Sequence, residues 1–322
     1  MSKGQDRLSK SKIGVFNHYL GRRSENWEKD LLNFDVKKLA MNLKEMGVRY
    51  YFITVMQGER FMLSPSEVYN KITGYTTKEV SSERDLIKEI GEELKKYDID
   101  LYLYYTGDGP HNDEKGGTEM GYYDYDYPGP WVWREELQDY SLSDNILQIS
   151  EEFVSNWASV LEEYAIRYGN LIKGWWIDGC YDYFGYNQHY LDIYRAAVKK
   201  GNPDAIVTFN NGVKNALTEW GNPDYTAGER NDLKRIPESR FIGSAQAHIL
   251  VPVGTKENSD HAKKGESDWC SKGLFFNKEE LLDYAKKVTD AGGAVTFDIF
   301  IDTDASFDKE QIEAIKYVTA NL

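Results

Sequence analysis

FVSNWASVLEEYAIRYGNLIKGWWIDG, residues 153–179, decides how the chain is read. Phe153, Trp157, Val160, Leu161 and Tyr164 recur every three or four positions, the spacing of one apolar helix face. With Ile146 they predict a helix over 145–168. Beyond Gly169 the pattern changes. LIKGWWID (171–178) is a short run of bulky apolar residues closed by Asp178 and Gly179, the mark of a strand buried on both faces. A helix that feeds a buried strand is one repeat of an α/β fold.

The same alternation extends in both directions. Upstream, strands are expected at IGVFN (13–17), YYFITV (50–55) and DLYLYYTG (100–107), with a helix over 84–97 before the third. Downstream come a helix over 188–200, AIVTFN (205–210), a short DYTAGE (224–229), RFIGSAQAHIL (240–250), a helix over 278–290 and AVTFDIF (294–300). KEQIEAIKYVTANL closes the chain as a helix. Eight strand–helix repeats with no linker between them predict one (β/α)8 TIM-type barrel over 12–322, its helices weaker in the second half. Residues 1–11 read as a disordered or polar tail. A doubly wound sheet would need a glycine-rich phosphate loop after the first strand, and NHYLGRRSEN is not one. The long stretches 107–143 and 251–277 begin where strands end, at the face on which barrel sites are built.

Composition narrows the partners. With 39 Lys and Arg against 53 Asp and Glu, the formal charge of −14 disfavours nucleic acid and anionic membranes. No apolar run reaches the roughly 18 residues of a membrane span. MSKGQDRLSKSK has no apolar h-region, which reads as a cytoplasmic chain, or as a periplasmic or secreted one if the natural N-terminus is longer. Cys180 and Cys270 have neither disulfide-framework nor zinc-site spacing. HExxH and the nucleophile elbow of serine hydrolases are absent. Asp302, Asp304, Ser306, Asp308, Glu310 and Glu313 mimic a calcium loop, but Phe307 replaces its turn glycine, so a polar turn before the last helix is expected. No cofactor and no metal is called for.

Carboxylates carry the chemistry that remains. Along the fourth strand Trp176 and Asp178 share one face and Trp175 and Ile177 the other, so Asp178 tops a buried strand. Its plain alternative is an aspartate capping the next helix. Glu229 ends the weak sixth strand; its alternative is a solvated glutamate paired with Arg230, and Asp224, Glu219 and Glu238 compete with it. Two carboxyl groups across a pocket are what glycosidic cleavage requires. The 24 Tyr and 8 Trp, dense over 102–133 and 175–186, suit the apolar faces of sugar rings, although each singly reads best as packing.

Over residues 12–318 these segments resemble the catalytic barrel of the family 29 glycoside hydrolases, the α-L-fucosidases. The resemblance lies in IGVFNHYLG, YYFITVMQGERFML, LKKYDIDLYLYYTGD, FVSNWASVLEEYAIRYGNLIKGWWIDG, NPDYTAGE and LLDYAKKVTDAGGAVTFDIFID. It implies a retaining exo-glycosidase acting on a terminal fucose or related sugar of an oligosaccharide or glycoside. Asp178 falls on the family's nucleophile, Glu229 on the acid/base of one branch, and His18 on a sugar-contacting histidine. The expected substrate contacts are His18, Gln57, Tyr105, Trp176, Asn210 and Trp269. The family's His-His pair after the second strand is replaced by Gln57 and Gly58, and the arginine after the fifth is missing. These departures bear on which sugar is bound, and they motivate the alternative of a non-catalytic carbohydrate-binding protein on the same barrel.

Overall fold

The computed structural model describes residues 2–19, 26–122, 131–136, 139–142, 148–213, 216–255 and 267–322. Seven strands form one parallel sheet: β1 (Ile13–Asn17), β2 (Tyr50–Thr54), β3 (Asp100–Thr106), β4 (Ile172–Asp178), β5 (Ile206–Phe209), β6 (His248–Pro252) and β7 (Ala294–Asp298). Their spatial order is β6-β7-β1-β2-β3-β4-β5. Each neighbour pair is parallel and in sequence order except where β7 meets β1, as a barrel demands.

The sheet is curled but is not a regular closed eight-stranded barrel. The expected sixth strand, DYTAGE, is reduced to isolated bridges in the gap between β5 and β6. On one side Asp224 N–H donates to Val207 O at 2.8 Å. On the other, Thr226 N–H donates to Gln246 O, Leu250 N–H to Gly228 O and Arg230 N–H to Leu250 O, at 2.9–3.0 Å. RFIGSAQAHIL likewise is not one strand: Phe241–Ile242 and Ala245–Gln246 form a small hairpin before β6. Gly243 sits in the turn of that hairpin and fits the left-handed backbone it needs.

Two apolar layers follow from the two-residue period of the strands. Tyr51, Ile53, Leu103, Tyr105, Trp175, Ile177, Val207 and Phe297 face outward into the larger core beneath the helices. Phe16, Tyr50, Phe52, Tyr102, Tyr104, Trp176, Ile206 and Leu250 face inward and fill the sheet's concave side. Gly174 makes room there, since a Cβ on it would come within 2.4 Å of the Tyr102 ring. The outer layer is covered by α2 (Val36–Glu45), α3 (Leu86–Lys95), α4 (Glu151–Tyr168), α5 (Gln188–Gly201), α6 (Lys278–Asp290) and α7 (Lys309–Ala320). α4 starts at Glu151 and not at 145, because Ser150 caps it by accepting the Phe153 N–H; 143–147 lie outside the described residues.

The expected polar tail is also a helix, α1 (Lys3–Ser11), started by a reciprocal Ser2/Gln5 capping box. It closes the bottom of the sheet: Leu8 is fully buried in the inner layer, and the Gln5 amide donates to the carbonyls of Asp224 and Ser244. Before α7 the acidic series is the polar turn expected, with Asp308 capping the helix and Asp304 paired with Lys38. No helix of the described residues is long and apolar enough to cross a membrane.

Candidate active site

Inward-facing parity, continued one step past the inner apolar layer, selects the functional side chains. Asp178 follows Trp176, Asn210 follows Thr208, Glu229 follows Ala227, His18 follows Phe16 and Asp298 follows Thr296, each two residues on and each at the C-terminal end of its strand. Five polar groups from five neighbouring segments therefore gather over one apolar floor.

Asp178 is the best held of them. Its Oδ2 accepts a hydrogen bond from the Tyr104 hydroxyl at 2.6 Å, and its Oδ1 accepts one from the Asn210 amide at 2.7 Å. The same Asn210 nitrogen donates to Glu229 Oε2 at 2.5 Å. Because both oxygens sit on one nitrogen, at 2.7 and 2.5 Å, they are at most about 5.2 Å apart. Both carboxyl residues are only half-buried, so they reach solvent through the opening.

Their surroundings differ in a way that separates them. Burial pushes the Asp178 carboxyl up; hydrogen bonds from Tyr104 and Asn210 to the carboxylate, and from the Gly179 backbone, oppose that, while the neighbouring Asp108 adds to it. Glu229 is raised further, to about 7, first by burial and then by the charge of Asp178, with only Asn210 opposing. For this pair the direction is clear. The proton resides on Glu229, because Asp178 receives more donors. Burial also raises Tyr104, which stays a neutral donor.

The alternatives for these carboxylates are not what the structure holds. Arg230 pairs with Asp232, not with Glu229. Asp224 accepts the Val207 N–H and pairs with Lys199, Glu219 accepts from Ser244, and Glu238 is exposed.

The walls complete the opening. His18 Nδ1 lies 2.8 Å from Asp298 Oδ2, and the His18 ring meets Trp269 and Tyr104 edge-on, each at 5.4 Å. On the opposite side Asp108 packs on Gly179, and its carboxylate lies 3.1 Å from His111. Burial opposes charge on His111, yet Asp108 holds its pKa above the ordinary value. Tyr181 and Tyr183 stack at 5.0 Å, and both carboxylates act on each of them.

His18, Asp178, Asn210, Glu229 and Trp269 are thus brought together at this opening. Trp176 lies one layer lower, almost fully buried, stacked on Tyr104 and donating its indole N–H to Ala227 O. Gln57 stands in the loop after β2, its Oε1 buried without a hydrogen-bond partner. Tyr105 corrects the expectation. It is fully buried on the outward face, stacked on Trp157 and donating to Trp157 O, so it cannot meet a ligand in this opening. Strand parity puts its neighbour Tyr104 there instead. Reading missed Tyr104, Asp298, Asp108 and His111; counting by twos back from Asp178 across the Thr106↔Asp178 register would have found Tyr104. Part of the aromatic-rich 102–133 stretch, from 123 to 130, falls outside the described residues.

Comparison with known proteins supplies the last observations. The family model described as Alpha-L-fucosidase matches residues 22–248. No curated protein matches the chain. An endo-fucoidan hydrolase of glycoside hydrolase family 107 superposes with a TM-score of 0.69 at 14% identity, covering 98% of this chain and 53% of that one. An α-L-fucosidase of family 29 from Bacteroides thetaiotaomicron gives 0.63 at 18% identity, covering 99% and 73%. An α-L-fucosidase from Lactobacillus casei, solved with α-L-fucose, gives 0.60 at 16% identity, covering 98% and 97%. The chain spans about half to two thirds of the length of the fucoidan hydrolases it matches first.

Proposed function

Since the chain belongs to the α-L-fucosidase family, we propose that it is a retaining exo-acting glycoside hydrolase that releases a terminal fucose or a related sugar by double displacement. The observation that carries this reading is the single Asn210 nitrogen held between Asp178 and Glu229. It sets the facing oxygens at most about 5.2 Å apart. Retaining enzymes hold their carboxyl groups about 5–5.5 Å apart, whereas inverting ones leave roughly 6.5–9.5 Å for a water.

In the first step an oxygen of ionised Asp178 attacks the anomeric carbon, and neutral Glu229 gives its proton to the departing oxygen. A glycosyl ester forms on Asp178 and the aglycone leaves as an alcohol. Esterification removes the Asp178 charge, which is the second cause of Glu229's raised pKa. Glu229 thereby becomes acidic enough to stand as a carboxylate. It then takes a proton from water, the water oxygen attacks the same carbon, and Asp178 departs as the carboxylate. Two inversions give retention. Tyr104 and Asn210 keep the nucleophile ionised and aimed, while His18, Trp269 and the Tyr181–Tyr183 stack offer one polar and several flat surfaces to a sugar. Neither step calls for a cofactor.

A purely sugar-binding protein has no use for a proton held on Glu229 beside an ionised Asp178, and this favours the hydrolase. The test is turnover of p-nitrophenyl α-L-fucoside, then galactosides, by wild type and Asp178→Ala, with the first-formed anomer read by NMR. The α-anomer of fucose released by wild type alone is expected. Equal turnover by Asp178→Ala, or an inverted first product, would overturn the assignment.

A further inference from the structure

On the β1–β7 side of the opening, three side chains from three segments meet for which the hydrolysis has no joint use. His18 follows β1, Asp298 ends β7, and Cys270 lies in the segment between β6 and α6. An imidazole nitrogen, a thiol sulfur and a carboxylate oxygen of these residues all lie within 4.8 Å of one another. Around a tetrahedral zinc, with bonds of about 2.0–2.3 Å, ligand atoms stand roughly 3.3–3.8 Å apart. Side-chain rotations of about an ångström would close the set.

The cluster is built and not incidental. Asp298 is almost fully buried and organises both partners: Oδ2 lies 2.8 Å from His18 Nδ1, and Oδ1 accepts the Cys270 N–H at 2.8 Å. Cys270 itself sits at φ 53°, in the left-handed region that a non-glycine residue adopts only when its surroundings hold it there. The carboxylates of Asp178 and Asp108 share this end of the fold and add a negative potential that draws cations.

We propose that His18, Cys270 and Asp298 form a binding site for a soft divalent cation of the zinc class, with its fourth position open to the sugar pocket. One nitrogen, one sulfur and one oxygen plus an open position is a donor set zinc accepts, and the thiol gives up its proton as the metal–sulfur bond forms. The His18 ring lies against Tyr104, whose hydroxyl serves Asp178, so an ion here stands beside the reacting carboxylate and inhibits it. That inhibitory limb rests on the hydrolase reading; metal binding does not.

The test uses the purified full chain freed of metal with chelator. Titration with Co2+, followed by thiolate-to-cobalt charge-transfer absorption, should saturate at one equivalent in wild type and in His189→Ala, which removes the exposed His189–Glu151 pair as a rival ligand. Cys270→Ala should lose the band and bind Zn2+ at least tenfold more weakly by calorimetry. Cys270→Ser, nearly isosteric, should do the same with an unchanged fold by circular dichroism. No band in wild type, or a band that survives both Cys270 variants, would overturn the site. Zinc at its dissociation constant should halve wild-type turnover and leave each Cys270 variant at its own zinc-free rate. Binding without inhibition would refute the inhibitory limb alone. A protein that binds zinc as described yet turns over no glycoside would refute the hydrolase and not the site.

Discussion

Tyr104→Phe removes one oxygen from the site and leaves the packing in place, because the ring remains between Trp176 and Phe16, stacked at 5.4 and 5.5 Å. The lost contact is a 2.6 Å O–H···O bond to the Asp178 carboxylate. A hydrogen bond to a charged group contributes about 1.5–3 kcal/mol. At 1.36 kcal/mol per pKa unit, that equals a rise of roughly 1–2 units for Asp178. In the proposed reaction Asp178 attacks as the carboxylate, so the acid limb of kcat/KM should move up by about 1–2 pH units. The alkaline limb should stay within a few tenths of a unit, since Glu229 keeps both causes of its raised pKa, burial and the Asp178 charge. The assay is kcat/KM for an aryl fucoside from pH 4 to 9, with circular dichroism to show that the variant is folded. An acid limb that does not move would refute the claim that Tyr104 sets the ionisation of the nucleophile. A downward shift would reverse its sign.

Four further predictions concern the remaining assignments and the fold. In wild type the alkaline limb should fall above about pH 7, because in the proposed reaction the leaving group takes the proton on Glu229; a profile still rising at pH 9 would contradict this. Glu229→Ala should lower kcat by roughly 10²–10⁴ for alkyl aglycones and far less for a nitrophenolate, with azide restoring turnover, and a flat leaving-group series would exclude Glu229 as the acid. Tyr105→Phe should cost about 1 kcal/mol in chemical denaturation through its lost bond to Trp157 O, yet leave kcat/KM untouched. Leu8→Ala should destabilise by about 2–4 kcal/mol despite lying in an apparent tail; an exposed helix would show almost nothing.

The parallel strands and their helices were legible because a strand buried on both faces leaves a dense apolar run, and a covering helix leaves a 3.6-residue stripe. α4 and β4 are the clearest example. Asp178 was legible for the same reason, as a charge that ends such a run. What escaped depends on parity or on contacts distant in sequence. Tyr104 and Tyr105 are chemically identical neighbours, and only the register against β4 tells which faces the opening. The Asp298–His18 pair joins positions 280 residues apart, for which no local pattern exists. The first helix is a different case. Ser2 and Gln5 carry the capping-box spacing, but Gly4 and three basic residues obscured a stripe reduced to Leu8. Tertiary burial, not propensity, keeps that helix in place.

The irregular gap between β5 and β6 is also the part of the sheet that brings the two carboxylates together. A regular sixth strand would pair along its whole length with β5 and β6. Here the chain touches β5 through Asp224, leaves it, and runs along the other neighbour through the Tyr225–Gln246 and Glu229–Leu250 bridges. Gly228 permits that path: its φ is +72°, and a Cβ on it would lie 2.1 Å from His248 O. No other residue type passes there without moving β6. The consequence appears one residue later, where the Glu229 backbone bridges Leu250 and its side chain accepts from Asn210 beside Asp178. Glu229, the proposed acid/base, thus stands on a segment paired only through isolated bridges, while Asp178, the proposed nucleophile, ends a strand paired on both sides.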